Sequence, residues 1–116
     1  MTDEIKSAPF KLACTYDMCV GDEILFTEPI YAGKYPALVY RGRRRVTARV
    51  IGETFGRKTG SKSVSLTITA SDGLDPLPSG RRVSRRVHKL LKARAWRKAW
   101  KDEDKRANLI ASLKPL

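Results

Sequence analysis

The chain has 116 residues, with 24 Lys and Arg against 12 Asp and Glu, two Cys and one His. That length suits one domain with one modest core, and an apolar fraction of 41% argues against global disorder. A net charge of +12 exceeds the ~2–8 typical of a small soluble domain and points to a polyanionic partner.

The charge is unevenly placed. Residues 1–40 hold 3 basic and 6 acidic residues, whereas 41–116 hold 21 basic and 6 acidic residues. No run approaches the ~18 apolar residues of a membrane span, so no membrane is expected as a partner. The opening "MTDEIKSAPF" is acidic and polar, unlike a secretory signal, and a cytoplasmic location is expected. There Cys14 and Cys19 stay reduced, although their spacing in "CTYDMC" leaves a local disulfide open. With two thiols and a distant His88, no metal or cofactor site is expected.

The first ~80 residues alternate as strands do. "FKLAC" alternates Phe10, Leu12 and Cys14 with Lys11 and Ala13. "GDEILFTEPI" opens on a turn and sets Ile24 and Phe26 against Glu23 and Thr27, until Pro29 ends it or forces an edge. "YAGKYP" reads as a loop and "ALVYRG" as a short strand. A long hairpin over 43–70 comes after it, with Val46, Ala48 and Val50 facing Val64, Leu66, Ile68 and Ala70 across the core side. Its other face carries Arg43, Arg45, Thr47 and Arg49 beside Ser63, Ser65, Thr67 and Thr69, a basic and hydroxyl-rich surface. The glycine-rich "GETFGRKTGS" between the strands projects Arg57 and Lys58, with Lys62 at its end.

"SDGLDPLPSG" breaks the chain with Pro and Gly. Residues 81–100, containing "VSRRVHKLLKARAWRKAW", then read as one basic helix with Val83, Val87, Leu90 and Leu91 in a narrow apolar sector. Trp96 and Trp100 fall on its far side. Either the helix bends near Ala93–Ala95, or the tryptophans serve another surface. Three readings of them compete: a second patch of core, stacking on bases, or a basic amphipathic helix for a membrane or protein groove. "DED" at 102–104 suits a helix start, so 102–113 reads as a shorter helix with Ala107, Ile110 and Leu113 inward.

The expected fold is therefore α+β and mostly β. It is a single domain over 1–116: a small SH3-like or OB-like β-barrel spanning 9–72, with one or two C-terminal helices after it. No enzyme is expected. His88 has Ser84 at helical spacing and no carboxylate to orient it. "FGRKTG" lacks the Gly-Lys-Ser/Thr ending of a phosphate loop.

The expected function is nucleic-acid binding, of DNA or RNA, mainly through backbone phosphates and with little sequence preference. The expected contacts are Arg43, Arg45, Arg49, Arg57, Lys58, Lys62, Arg81, Arg82, Arg85, Arg86, Lys89, Lys92, Arg97 and Lys98. Trp96 and Trp100 are the stacking residues. The alternative is a protein-binding module or inhibitor that docks on an acidic protein, of the kind a phage or mobile element carries. A homodimer through an edge strand or the Trp pair would double the basic surface.

Overall fold

Side-chain alternation in β-branched and aromatic segments builds a sheet. The computed structural model describes residues 5–56 and 60–113. Six strands appear: β1 (Phe10–Ala13), β2 (Glu23–Ala32), β3 (Val39–Phe55), β4 (Lys62–Gly73), β5 (Arg82–Arg86) and β6 (Trp96–Lys98). Helix α1 (Val87–Lys92) lies between β5 and β6, and α2 (Glu103–Leu113) comes after β6. The sheet order is β1-β6-β2-β3-β4-β5, with every neighbouring pair antiparallel. The protein is thus α+β and mostly β, with two short helices. Its ladder is open, with β1 and β5 at the two ends.

The core lies on one side of this sheet. Ile24 and Phe26 of β2, Val46, Ala48 and Val50 of β3, and Val64, Leu66 and Ile68 of β4 supply it, closed over by Met18, Val87 and Leu90. The expected inner face of the long hairpin is thus observed, with one change at its end. The register shifts between Thr47 and Ala48, leaving Thr69 as an extra residue on β4. Such a bulge reverses the facing of the residues beyond it. Ser71 is buried in place of Ala70, and its hydroxyl donates to the Arg45 carbonyl at 2.9 Å. Thr47, expected outside, is also buried and shares a 2.7 Å hydrogen bond with the Thr69 hydroxyl. At the end of β4, Gly73 has φ of +92°, and a Cβ there would stand 2.6 Å from the Arg43 carbonyl oxygen, so only glycine fits.

Residues 81–100 do not form one helix. Val83, Arg85 and Val87 alternate with Arg82, Ser84 and Arg86, and β5 pairs along β4 with Leu66 opposite Val83. Helix propensities differ by only tenths of a kcal/mol per residue, so tertiary pairing of this alternation wins. The helix that remains has six residues and buries Val87 and Leu90. It ends where the bend was expected. Ala93 caps it and Arg94 takes a left-handed φ of +60°. The chain then re-enters the sheet as β6, filling the gap between β1 and β2.

Helix α2 forms as expected, started by Asp102, whose carboxylate accepts from the Lys105 N–H at 3.1 Å. Of the residues expected inward, Ala107 is exposed, Ile110 is half-buried and the Leu113 side chain lies outside the described residues, while Arg106 is buried. The buried carboxylate of Asp22 draws it in.

Candidate nucleic-acid interface

Cations in this protein divide by whether a carboxylate of the same chain holds them. Asp22 is the deepest such carboxylate, at 0% exposure. Its Oδ1 accepts from Arg106 Nε and from the Trp100 indole, each at 2.8 Å. Its Oδ2 accepts from Arg106 Nη2 at 2.8 Å and from the Cys19 N–H at 3.1 Å. Burial of so small an acid among four donors is the arrangement that a buried charge requires. Gly21, at φ of +102°, clears room for the indole: a Cβ there would lie 2.9 Å from Trp100 Cζ2. Trp100 is therefore half-buried and engaged in this clasp, and it leaves the set of stacking residues. Donating to the Asp22 carboxylate raises the Arg106 pKa still further. Asp17 also pairs with Arg106. Burial would raise its pKa, but the Thr15 hydroxyl and Arg106 outweigh that and hold it low.

Other acids hold six of the expected contacts: Arg45, Arg49, Lys62, Arg85, Arg97 and Lys98. Glu28 pairs with Arg44 at 2.6 Å and with Arg85 at 3.0 Å. Burial pushes the Glu28 pKa up, yet Arg85 and Arg44 bring it below the usual range. Asp72 takes Arg45 through two hydrogen bonds, at 3.0 and 2.6 Å. Glu23 takes Lys98 at 2.8 Å and, more loosely, Arg49 at 3.3 Å. Glu103 takes Arg97 through bonds of 3.0 and 2.8 Å and also accepts from the Trp100 N–H. These donors, the Arg97 guanidinium foremost, lower the Glu103 pKa to about 2.

Lys62 is the clearest correction. It is 6% exposed, and its ammonium reaches Glu53 at 2.9 Å, the Tyr16 carbonyl at 3.1 Å and the Met18 carbonyl. It latches the long hairpin onto the turn before β2 and is closed to a phosphate. Arg57 and Lys58 lie outside the described residues.

Six of the cations without such a partner lie close together in the chain. Arg81, Arg82, Arg86, Lys89, Lys92 and Arg94 are all exposed, and none has a carboxylate partner among the described residues. The reason is legible: no acid occurs between Asp75 and Asp102. On β5, Arg82 stands across from Thr67, and Thr67 across from Arg49, making an Arg–Thr–Arg row over three strands. Ser84 stands across from Ser65, and Arg86 across from Ser63. The basic and hydroxyl-rich face expected of the hairpin is thus completed by β5 rather than by Arg43 and Arg45.

A second basic tract flanks Arg94, which sequence reasoning missed as a contact. A groove of about 390 Å³ is lined by Thr27, Pro29, Tyr31, Tyr40, Arg43, Lys92, Ala93 and Arg94. On the other side of Arg94, one of about 570 Å³ is lined by Ala13, Cys14, Thr15, Tyr16, Leu91, Ala95 and Trp96. Trp96 is 41% exposed. The signal for Arg94 lay in its backbone, invisible in sequence: a non-glycine residue at positive φ costs about 1 kcal/mol.

His88 is exposed on α1, and no group of three or more His, Cys, Asp or Glu able to hold a metal occurs among the described residues. Cys14 and Cys19 are free and buried; burial pushes their pKa values up to about 12 and about 11. No helix among the described residues is long and apolar enough to cross a membrane.

No solved structure matches the chain significantly. Over 102 residues the chain is 30% identical to zinc finger CCCH domain-containing protein 62 of Oryza sativa subsp. japonica, a match that takes in 84% of this chain and 14% of that protein. With two cysteines and one histidine in all, this chain cannot itself supply the three-cysteine, one-histidine set that the name spells. A family model matches from Cys19 to Trp100 and so takes in Asp22 and the indole that donates to it, but not Arg106. The chain therefore belongs to the family described as a domain of unknown function, DUF7699.

Proposed function

We propose that this protein is a small, non-catalytic nucleic-acid-binding domain that holds mainly backbone phosphates and has little sequence preference. One observation carries the reading: from Arg81 to Arg94 exposed cations gather on a strand edge and a short helix with no carboxylate among the described residues to neutralise them. Cations already paired within the fold gain little from a phosphate, because their partner must first be displaced. Unpaired ones release counterions from the polyanion on contact.

A barrel-like curl of the sheet, SH3-like or OB-like, belongs to the same reading. It is supported by Arg85 of β5 reaching Glu28 of β2 past two intervening strands. The buried free thiols suit a reducing, cytoplasmic setting.

The test is Arg82→Glu with Arg86→Glu. Both side chains point away from the core, so the melting temperature holds while affinity for a labelled oligonucleotide falls by at least about a hundredfold at low salt. Unchanged affinity rejects the proposal. Arg85 is unsuitable for this purpose, because a glutamate there would face Glu28 and damage the fold.

A second reading, docking on an acidic protein, is favoured by the turn between β2 and β3, where Tyr35, Leu38 and Val39 are all exposed. Aromatic and aliphatic side chains together are common in protein interfaces. An acidic protein that co-purifies in stoichiometric amount, and is lost on Tyr35→Ser with Leu38→Ser, would favour it.

A further inference from the structure

Aromatic rings and exposed cations together line the two grooves that meet at Arg94. Trp96 lies on one side. Arg94 stands between, and Lys92, Arg43, Tyr31 and Tyr40 lie on the other. The tyrosines are set rather than loose. Their rings meet edge-to-face with centroids 5.8 Å apart, and Arg43 Nε donates to the Tyr40 hydroxyl at 3.2 Å. Both rings remain more than half exposed, and so keep faces for a ligand.

Several physical facts decide what such a tract takes. A duplex hides the faces of its bases, and its outer surface offers phosphates and groove edges. An unpaired strand offers bare base faces at intervals between phosphates, which stacking rings and cations match together. The grooves are concave and lined by aromatic rings, whereas the Arg49–Thr67–Arg82 face lies across three strands and carries arginine and threonine. The backbone of Arg94 adds a second observation. Its left-handed conformation favours glycine, yet an arginine stands there, exposed and lining both grooves.

We propose that the paired grooves around Arg94 bind single-stranded nucleic acid, with bases stacked on Trp96 and on the Tyr31–Tyr40 pair and phosphates held by Arg43, Lys92 and Arg94. This assignment rests on the nucleic-acid reading above and adds strand state and position to it. Trp100, sealed against Asp22, takes no part.

The experiment measures fluorescence anisotropy of a labelled ten-nucleotide oligo-U, an oligo-dT and a ten-base-pair DNA duplex, while tryptophan emission is followed. Wild type, Trp96→Ala, Tyr40→Ala, Arg94→Gly and Arg82→Glu with Arg86→Glu are compared. The expected result is preference for either single strand over duplex by at least about tenfold, with quenching that disappears in Trp96→Ala. Trp96→Ala and Tyr40→Ala each weaken single-strand binding about tenfold, the loss of one stacked base, with duplex binding unchanged. Arg94→Gly weakens it too without lowering the melting temperature, since glycine suits that backbone. Oligo-U bound over oligo-dT would add recognition of the 2′-hydroxyl. If single strands and duplex bind alike and the groove variants bind as wild type does, the groove assignment is overturned, while the wider reading stands on the loss seen in the Arg82 and Arg86 variant. If nothing binds even at low salt, both fall.

Discussion

The clasp around Asp22 and the segment from Arg81 to Arg94 are made of the same cationic side chains put to opposite ends. In the clasp, Arg106 is 5% exposed, and hydrogen bonds to Asp22 and Asp17 hold its guanidinium. It ties α2 to the turn ahead of β2, a link of 84 residues along the chain. In the segment, Arg82, Arg86, Lys89 and Lys92 face solvent with no carboxylate partner among the described residues. Net charge treats these regions alike. The fold turns one into structure and leaves the other open to a partner.

Breaking the clasp gives the largest expected effect. Asp22→Ala strands a buried guanidinium and an indole N–H. It should lower stability by about 3–5 kcal/mol, the cost of removing one partner of a buried ion pair. Urea unfolding checks this, and a loss under about 1 kcal/mol would mean that the clasp does not anchor α2. Lys62→Ala is expected next, at about 2–3 kcal/mol, because it removes a charged donor to Glu53 and two carbonyls. Its oligonucleotide affinity should stay as in wild type, although composition alone counts Lys62 among the contacts. Arg86→Ala is the mirror image, with stability within about 0.5 kcal/mol of wild type and affinity lowered.

Acid provides a smaller effect. Glu103, Asp17, Glu28, Glu23 and Asp72 all have depressed pKa values in the fold. A depressed carboxylate stabilises fully above its unfolded pKa and loses that contribution as pH falls through its folded value. Stability should therefore decline below about pH 4.5, with the Glu103 share lost between there and about pH 2. Thermal melts of Glu103→Gln should show a slightly shallower decline. The smallest effect is chemical: the buried thiols of Cys14 and Cys19 should react with an alkylating reagent at pH 8 only on unfolding.

The strands were legible because their residues alternate. Ile24 with Phe26, Val46 with Ala48 and Val50, and Val64 with Leu66 and Ile68 are core pairs in the sequence and in the fold. The helix over 81–100 was misread because the alternation around Val83 and Val87 also satisfies a helical wheel, and only the vacant edge of β4 favours the strand. The ion pairing of the cations was legible only in part. Where the acids fall along the chain shows that 76–101 lacks them. It does not show that Glu28 reaches Arg85, or that Glu53 takes Lys62 inside. Trp96 and Trp100 look equivalent in sequence, and only Asp22, 78 residues away from Trp100, separates them.

The most direct test removes the same charge from each class of cation. Arg82→Gln with Arg86→Gln takes two unpaired cations, and Arg45→Gln with Lys98→Gln takes two that are paired with Asp72 and Glu23. Both variants have the same net charge. Titration of each against a labelled oligonucleotide at several salt concentrations should show the first losing at least about tenfold in affinity and the slope of about 0.7–0.9 per phosphate contact, and the second binding nearly as wild type does. Equal losses in the two variants would mean that net charge alone governs binding and would contradict the account.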